Sequence, residues 1–150
     1  MVGDQRALRS GGSRGVALVY HDNERVGQWL LDQIPYVESW SPGHQTIGLE
    51  RGGKLIAGVV FEHFTGHDID VSVAVVGGWV SHTFARAVFR YVFHQLTCRR
   101  ISCEIAGQNA AMRHIAGRLG FMVEGEKRDA IPGDSLVMMG MLRSECRYIK

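Results

Sequence analysis

A mixed α/β sheet, mostly antiparallel and flanked by helices on both faces, is the fold class this chain predicts. Three observations lead there. Stretches of period-2 apolar alternation take turns with stretches of period-3.6 spacing along the chain. Three consecutive strand-like runs, joined by glycine-containing turns, make an antiparallel meander in its middle. The helical stretches are apolar on one stripe, so each needs a sheet to cover.

The first 14 residues are rich in Gly, Ser and Arg without periodicity, and predict a weakly structured start. Residues 15–20 (GVALVY) predict a buried strand. A helix follows, capped by Asp22 or Asn23, with Val26, Trp29, Leu30 and Ile34 on one face, until Pro35 stops it. Residues 36–45 mix aromatic and turn residues. The meander spans residues 46–78, turning at Gly52-Gly53 and again at Thr65-Gly66-His67. A long helix is expected from Val80 to Leu96, on Phe84, Val88, Tyr91 and Val92. In residues 100–106 Ile101, Cys103 and Ile105 alternate with Ser102, Glu104 and Ala106, which puts Glu104 on the face opposite the isoleucines. Met112, Ile115, Ala116 and Leu119 then repeat at i, i+3, i+4 and i+7, between a capping Asn109 and a left-handed Gly120. A charged strand follows, and a last strand over residues 135–142 closes the order: strand, helix, three strands, helix, strand, helix, strand, strand.

Composition narrows the function classes. With 150 residues, 45% of them hydrophobic and 21% charged, the chain suits one domain over residues 15–150. No apolar run approaches the roughly 18 residues of a membrane span, and no apolar signal core stands at the N-terminus. A cytoplasmic protein without membrane contact is expected. Cys98, Cys103 and Cys146 form no CxxC pair or zinc spacing and predict reduced packing residues. A net charge of +2 is too mild to argue for nucleic acid, which is not an expected partner.

Together with this order, the stretch NAAMRHIAGRLGFMVEGEKR (residues 109–128) resembles the GNAT acyltransferase superfamily, closest to the branch of ribosomal-protein N-terminal acetyltransferases. That branch shows an Asn, a small residue, Lys-Leu-Gly-Phe, then Glu-Gly and an Arg. Asn109, Arg118, Leu119, Gly120, Phe121, Glu124, Gly125 and Arg128 stand in those places. Residues 89–101 are also similar to its central helix and following strand. The resemblance covers residues 45–142; before that only the element order matches.

The resemblance implies an acetyl-CoA-dependent N-acetyltransferase, moving the acetyl group to a primary amine by direct attack in a ternary complex. The acceptor would be a protein N-terminus, a lysine or a small molecule. An amine is almost wholly protonated at neutral pH, and deprotonating it costs about 4.6 kcal/mol, so a base is required. Glu104 is the leading candidate, five residues before Asn109, where members of the branch carry a catalytic glutamate; a solvated strand carboxylate is the plain alternative. Glu62, His63, Asp68 and Asp70 rank behind it.

For acetyl-CoA the resemblance implies backbone groups of Val73, Ala74 and Val75 for the pantetheine arm and thioester carbonyl. The pyrophosphate is expected at the start of the Val80 helix, on Gly77, Gly78, Ser81 and His82, with Asn109 serving both as helix cap and as a contact to the CoA arm. The chain departs from the family here: instead of a basic residue and Gly-x-Gly it has VVGGWVSH, with Trp79 in place of a glycine. It also has Ala116 where many members place the Tyr that protonates the leaving thiolate. A thiol of ordinary pKa is only about 2 kcal/mol from its thiolate at neutral pH, so that absence is tolerable.

His63, His67, Asp68 and Asp70 cluster at a turn, but lack a second ligand pair, and no metal is expected. Cys98 and Cys103 read as packing rather than as nucleophiles. Trp40, Pro42, His44 and Gln45 fall in the loop that covers the acceptor in the family; Trp40 either selects substrate or anchors that loop. Trp79 would stack on the cofactor or on a partner subunit, and a homodimer is allowed. The alternative is a GNAT-fold module without turnover, docking a protein or nucleic acid through Trp40, Trp79 and Arg99-Arg100.

Overall fold

The computed structural model describes residues 15–150. The weakly structured start expected over residues 1–14 lies outside the described residues. Seven strands form one sheet: β1 (Val16–Tyr20), β2 (Gln45–Arg51), β3 (Lys54–Glu62), β4 (Asp70–Val75), β5 (Arg100–Ala106), β6 (Met122–Ile131) and β7 (Asp134–Leu142), in spatial order β1-β2-β3-β4-β5-β7-β6. Every neighbouring pair is antiparallel except β4 and β5. The mixed, mostly antiparallel α/β sheet is as expected.

Helix α1 (Asn23–Gln33) covers one face, where Val26 and Leu30 bury against Val60 and Ala74. The close approach requires glycine beneath it. A Cβ on Gly48 would stand 3.0 Å from Val26, and one on Gly58 3.2 Å from the same side chain. The opposite face carries the main core, where Ile47, Val59, Phe61, Val71 and Ile101 meet Phe84, Val88 and Phe89 of α2 (His82–Arg90) and Ala116 of α3 (Ala110–Leu119). Helices therefore lie on both faces.

Two details of the α2 region differ from expectation. The helix begins at His82 rather than at Val80, because Ser81 is the N-cap and its hydroxyl accepts the Phe84 N–H at 3.1 Å. It also does not run on as an α-helix to Leu96. Over Tyr91–Gln95 it widens into a π-helical turn, closed by Leu96 N–H donating to the Tyr91 carbonyl at 2.9 Å. The one extra residue per turn buries Val92 and Phe93 side by side before the chain enters β5. The ends of α3 are as expected: Asn109 Oδ1 accepts the Met112 N–H at 3.1 Å, and Gly120 takes a φ of 116°.

Candidate active site

The site begins where the sheet comes apart. β4 and β5 pair at only two positions, Asp70 with Ser102 and Val71 with Cys103, and then diverge. Their parallel junction is fixed by Ser102 N–H donating to the Ile69 carbonyl at 3.0 Å. Beyond Val71, β4 stays bonded to β3 alone. Strand alternation then decides which peptides face the opening. Val76 N–H donates to Ile56 of β3, so Ala74 and Ser72 also turn their peptides toward β3, whereas Val73 and Val75 turn theirs toward the gap. Of the three backbone positions expected to hold a pantetheine arm, two face the opening and Ala74 does not.

Over this gap lies a cavity of about 610 Å³. Its walls are mostly apolar: Val73 of β4, Phe84 and Val88 of α2, Ile105 of β5, and Met112 and Leu119 of α3. The apolar stripe of α3 is thus a roof as well as a core face. Cys103, Glu104 and Asn109 also line it, as do Tyr36 and Asp134. A cavity with this lining suits a ligand with a substantial aliphatic part.

The start of α2 is the expected phosphate region. Gly77 and Gly78 both have positive φ, 95° and 77°, so the chain turns back sharply before the helix in a way that a side-chain-bearing residue resists. Ser81 is occupied as N-cap, and the His82 ring packs at 5.5 Å from that of Tyr148 in the C-terminal turn. The α2 N-terminus adds the positive end of its dipole. Trp79 is exposed, with its indole folded back over Gly77.

The other face of β5 is polar. Glu104 points away from the isoleucines and pairs with Lys127 of β6, Nζ to Oε2 at 2.5 Å. This pairing raises the Lys127 ammonium above the ordinary lysine value. Tyr36, just past the proline that ends α1, has its phenol pushed up by burial and further by Glu104, Cys103 and Asp134. It is protonated at neutral pH and lines the same cavity as Glu104. Sequence reasoning missed both Lys127 and Tyr36; the only signal for Tyr36 was its place after Pro35, and Lys127 had none.

The remaining candidates separate. Asp70 bonds His63 Nδ1 at 2.9 Å, and burial raises its carboxyl more than His63 lowers it. Asp68 accepts from Ser102 Oγ at 2.8 Å and lies 3.6 Å from Arg100 Nε. Among the described residues no group of three or more His, Cys, Asp or Glu gathers as metal ligands would. Glu62 accepts the Ser41 N–H at 2.8 Å and holds the loop after α1. Trp40 anchors that loop, its Nε1–H donating to the Gly27 carbonyl at 2.8 Å. His44 bonds Ser41 within the same loop.

Cys103 is no nucleophile: burial above all, with Asp70, Glu104 and Glu124 adding, pushes its thiol up to about 12. All three cysteines are free thiols. Of the residues considered for a docking surface, Trp79 and Arg99 are exposed, whereas the other two are engaged within the fold. Trp40 is tied to α1, and Arg100 is engaged with Glu124 and Asp68.

No family model matches the chain. It is 22% identical over 135 residues to YdaF of Bacillus subtilis (strain 168), provisionally named as a ribosomal N-acetyltransferase, covering 76% of this chain and 74% of that protein. Among solved structures, a point variant of the spermidine N-acetyltransferase SpeG from Vibrio cholerae superposes with a TM-score of 0.71 at 16% identity, covering 91% of this chain and 97% of that one. A dodecameric structure of spermidine N-acetyltransferase from the same organism gives 0.70 at 17%, covering 87% and 95%. The fold is that of these acetyltransferases. No helix among the described residues is long and apolar enough to cross a membrane.

Proposed function

We propose that this chain, which carries the GNAT fold, is an N-acetyltransferase that moves the acetyl group of acetyl-CoA to a primary amine by direct attack. The observation that carries the reading is the opening between β4 and β5 beyond Val71, with an apolar cavity on one side and Glu104 at its edge on the other. An acyl donor and an amine can approach one carbonyl from opposite faces of such a gap. The likeness to N-acetyltransferases over most of the chain supports the same reading.

Each group then has a role. Gly77, Gly78, Ser81 and His82 receive the pyrophosphate at the α2 N-terminus, and Val73 and Val75 present backbone groups to the arm and the thioester. Asn109 caps α3 at the cavity wall. Glu104 accepts the proton that the ammonium must lose before nitrogen attacks. As the C–S bond breaks, the thiolate leaves without a dedicated acid, since Ala116 offers none. The protein N-terminus, lysine and polyamines are the acceptor classes to test, and a cytoplasmic location belongs to this reading.

Calorimetric titration with acetyl-CoA and CoA, followed by thiol release with a panel of amines, tests the proposal. Micromolar binding and amine-dependent thiol release are expected. Absence of both would leave a fold without this chemistry and turn the search to macromolecular partners.

A further inference from the structure

The acceptor side of the site already contains a primary amine. Lys127 Nζ stands 2.5 Å from Glu104 Oε2, where an incoming ammonium has to stand for that carboxylate to take its proton. We propose that Lys127 is an intramolecular acceptor, so that the protein acetylates its own Lys127 Nζ from acetyl-CoA. The inference rests on the acyl-transfer reading above.

Three observations carry it. The first is the geometry. Glu104 pairs with Met138 and Lys127 with Leu136, so the two side chains belong to strands on either side of β7 and meet across it. Glu104 itself lines the cavity.

The second is composition. The chain has fourteen arginines and only three lysines, Lys54, Lys127 and Lys150. Arginine keeps its proton and does not compete as a nucleophile. One of the three acylatable side chains sits against the candidate base, followed at once by an arginine. Lys54 lies at the β2–β3 turn, and Lys150 reaches toward the Ser144 carbonyl at 3.5 Å.

The third is freedom of movement. The Lys127 side chain is 54% exposed and the Glu104 side chain 40%, so packing locks neither partner and the flexible lysine stem is free to leave the carboxylate.

The step balances. The ammonium gives one proton to Glu104, which passes it to solvent. The freed nitrogen lone pair attacks the thioester carbonyl, the C–S bond breaks as the C–N bond forms, and the nitrogen's second proton goes to the departing thiolate. Lys127 becomes a neutral amide and CoA leaves as free thiol. The amide no longer pairs with Glu104 and leaves that carboxylate open to an external amine.

The test uses the full chain and acetyl-CoA with no added acceptor, read by thiol release and by intact and peptide mass spectrometry. About one thiol per chain is expected, with one acetyl on Lys127 and none on Lys54 or Lys150. Lys127→Arg should remove that acetyl, and Glu104→Gln should slow its appearance about tenfold or more. Label spread over all three lysines, or undiminished in Glu104→Gln, would mark ordinary chemical acylation and overturn the inference. Unmodified Lys127 in a protein that releases thiol with spermidine or a peptide amine would overturn it while leaving the acyl-transfer reading in place. No acetyl-CoA binding and no thiol release with any amine would remove both.

Discussion

Cys103 and Glu104 are consecutive residues of β5, yet they occupy different media. Cys103 faces the apolar chamber under α2 and α3, where burial makes ionisation so costly that its thiol rises to about 12. Glu104 faces the polar side, where it pairs with Lys127. One peptide unit separates the apolar lining of the cavity from the carboxylate at its edge. The strand does this by alternation alone, and a register slip of one residue would exchange the two. Nearby the β2–β3 hairpin uses the same alternation only to separate two cores.

The largest effect should come from chemistry on the dry side. Relative to an ordinary thiol at 9.0, a thiol at about 12 carries roughly a thousandfold less thiolate at pH 8. Alkylation of native Cys103 by iodoacetamide, followed by peptide mapping, should be slower by about that factor than in the unfolded chain. Labelling at the unfolded rate would mean that the chamber is wet. The sign for stability follows. A folded-state value raised above the unfolded one contributes stability that is complete below 9 and lost as pH climbs toward 12.

On the wet side, Glu104→Gln should lower kcat/KM for amine acetylation by about a hundredfold to a thousandfold, with CoA affinity unchanged within about twofold. Equal turnover in that variant would remove Glu104 from the mechanism and make it a surface carboxylate. Ser81→Asp keeps a good N-cap but puts a negative charge where the pyrophosphate is expected. CoA binding measured by calorimetry should weaken about tenfold, or about 1.4 kcal/mol. Equal affinity would place the phosphates elsewhere. The smallest effect belongs to the loop beyond α1. Trp40→Phe removes the bond to the Gly27 carbonyl and should cost about 1 kcal/mol in urea unfolding, with donor binding intact.

Local signals carried most of the fold. The cap at Asn109, the left-handed Gly120, the β5 alternation and the meander turns are short-range patterns with one physical solution each. The start of α2 was less legible, because the apolar Val80 extends the helical spacing back past the Ser81 cap. The π turn left no signal, since it adds a residue without changing composition. Glu104 and the backbone of Val73 and Val75 were reached through family resemblance, because nothing in the period of β4 shows that it loses a neighbour beyond Val71. The Lys127 partner depends on the β5–β7–β6 order, a product of long-range pairing that adjacent residues do not encode.

The divergence of β4 from β5 has a consequence that deuterium would record. Val73 and Val75 point their amides into the gap, while Ala74 between them is held by β3. A single strand should therefore exchange in alternation: fast, slow, fast. A ligand lying in the gap would slow the two fast positions and leave the middle one alone. The unpaired flank of β4 would then act as a built-in gauge of occupancy, readable residue by residue without any assay of turnover.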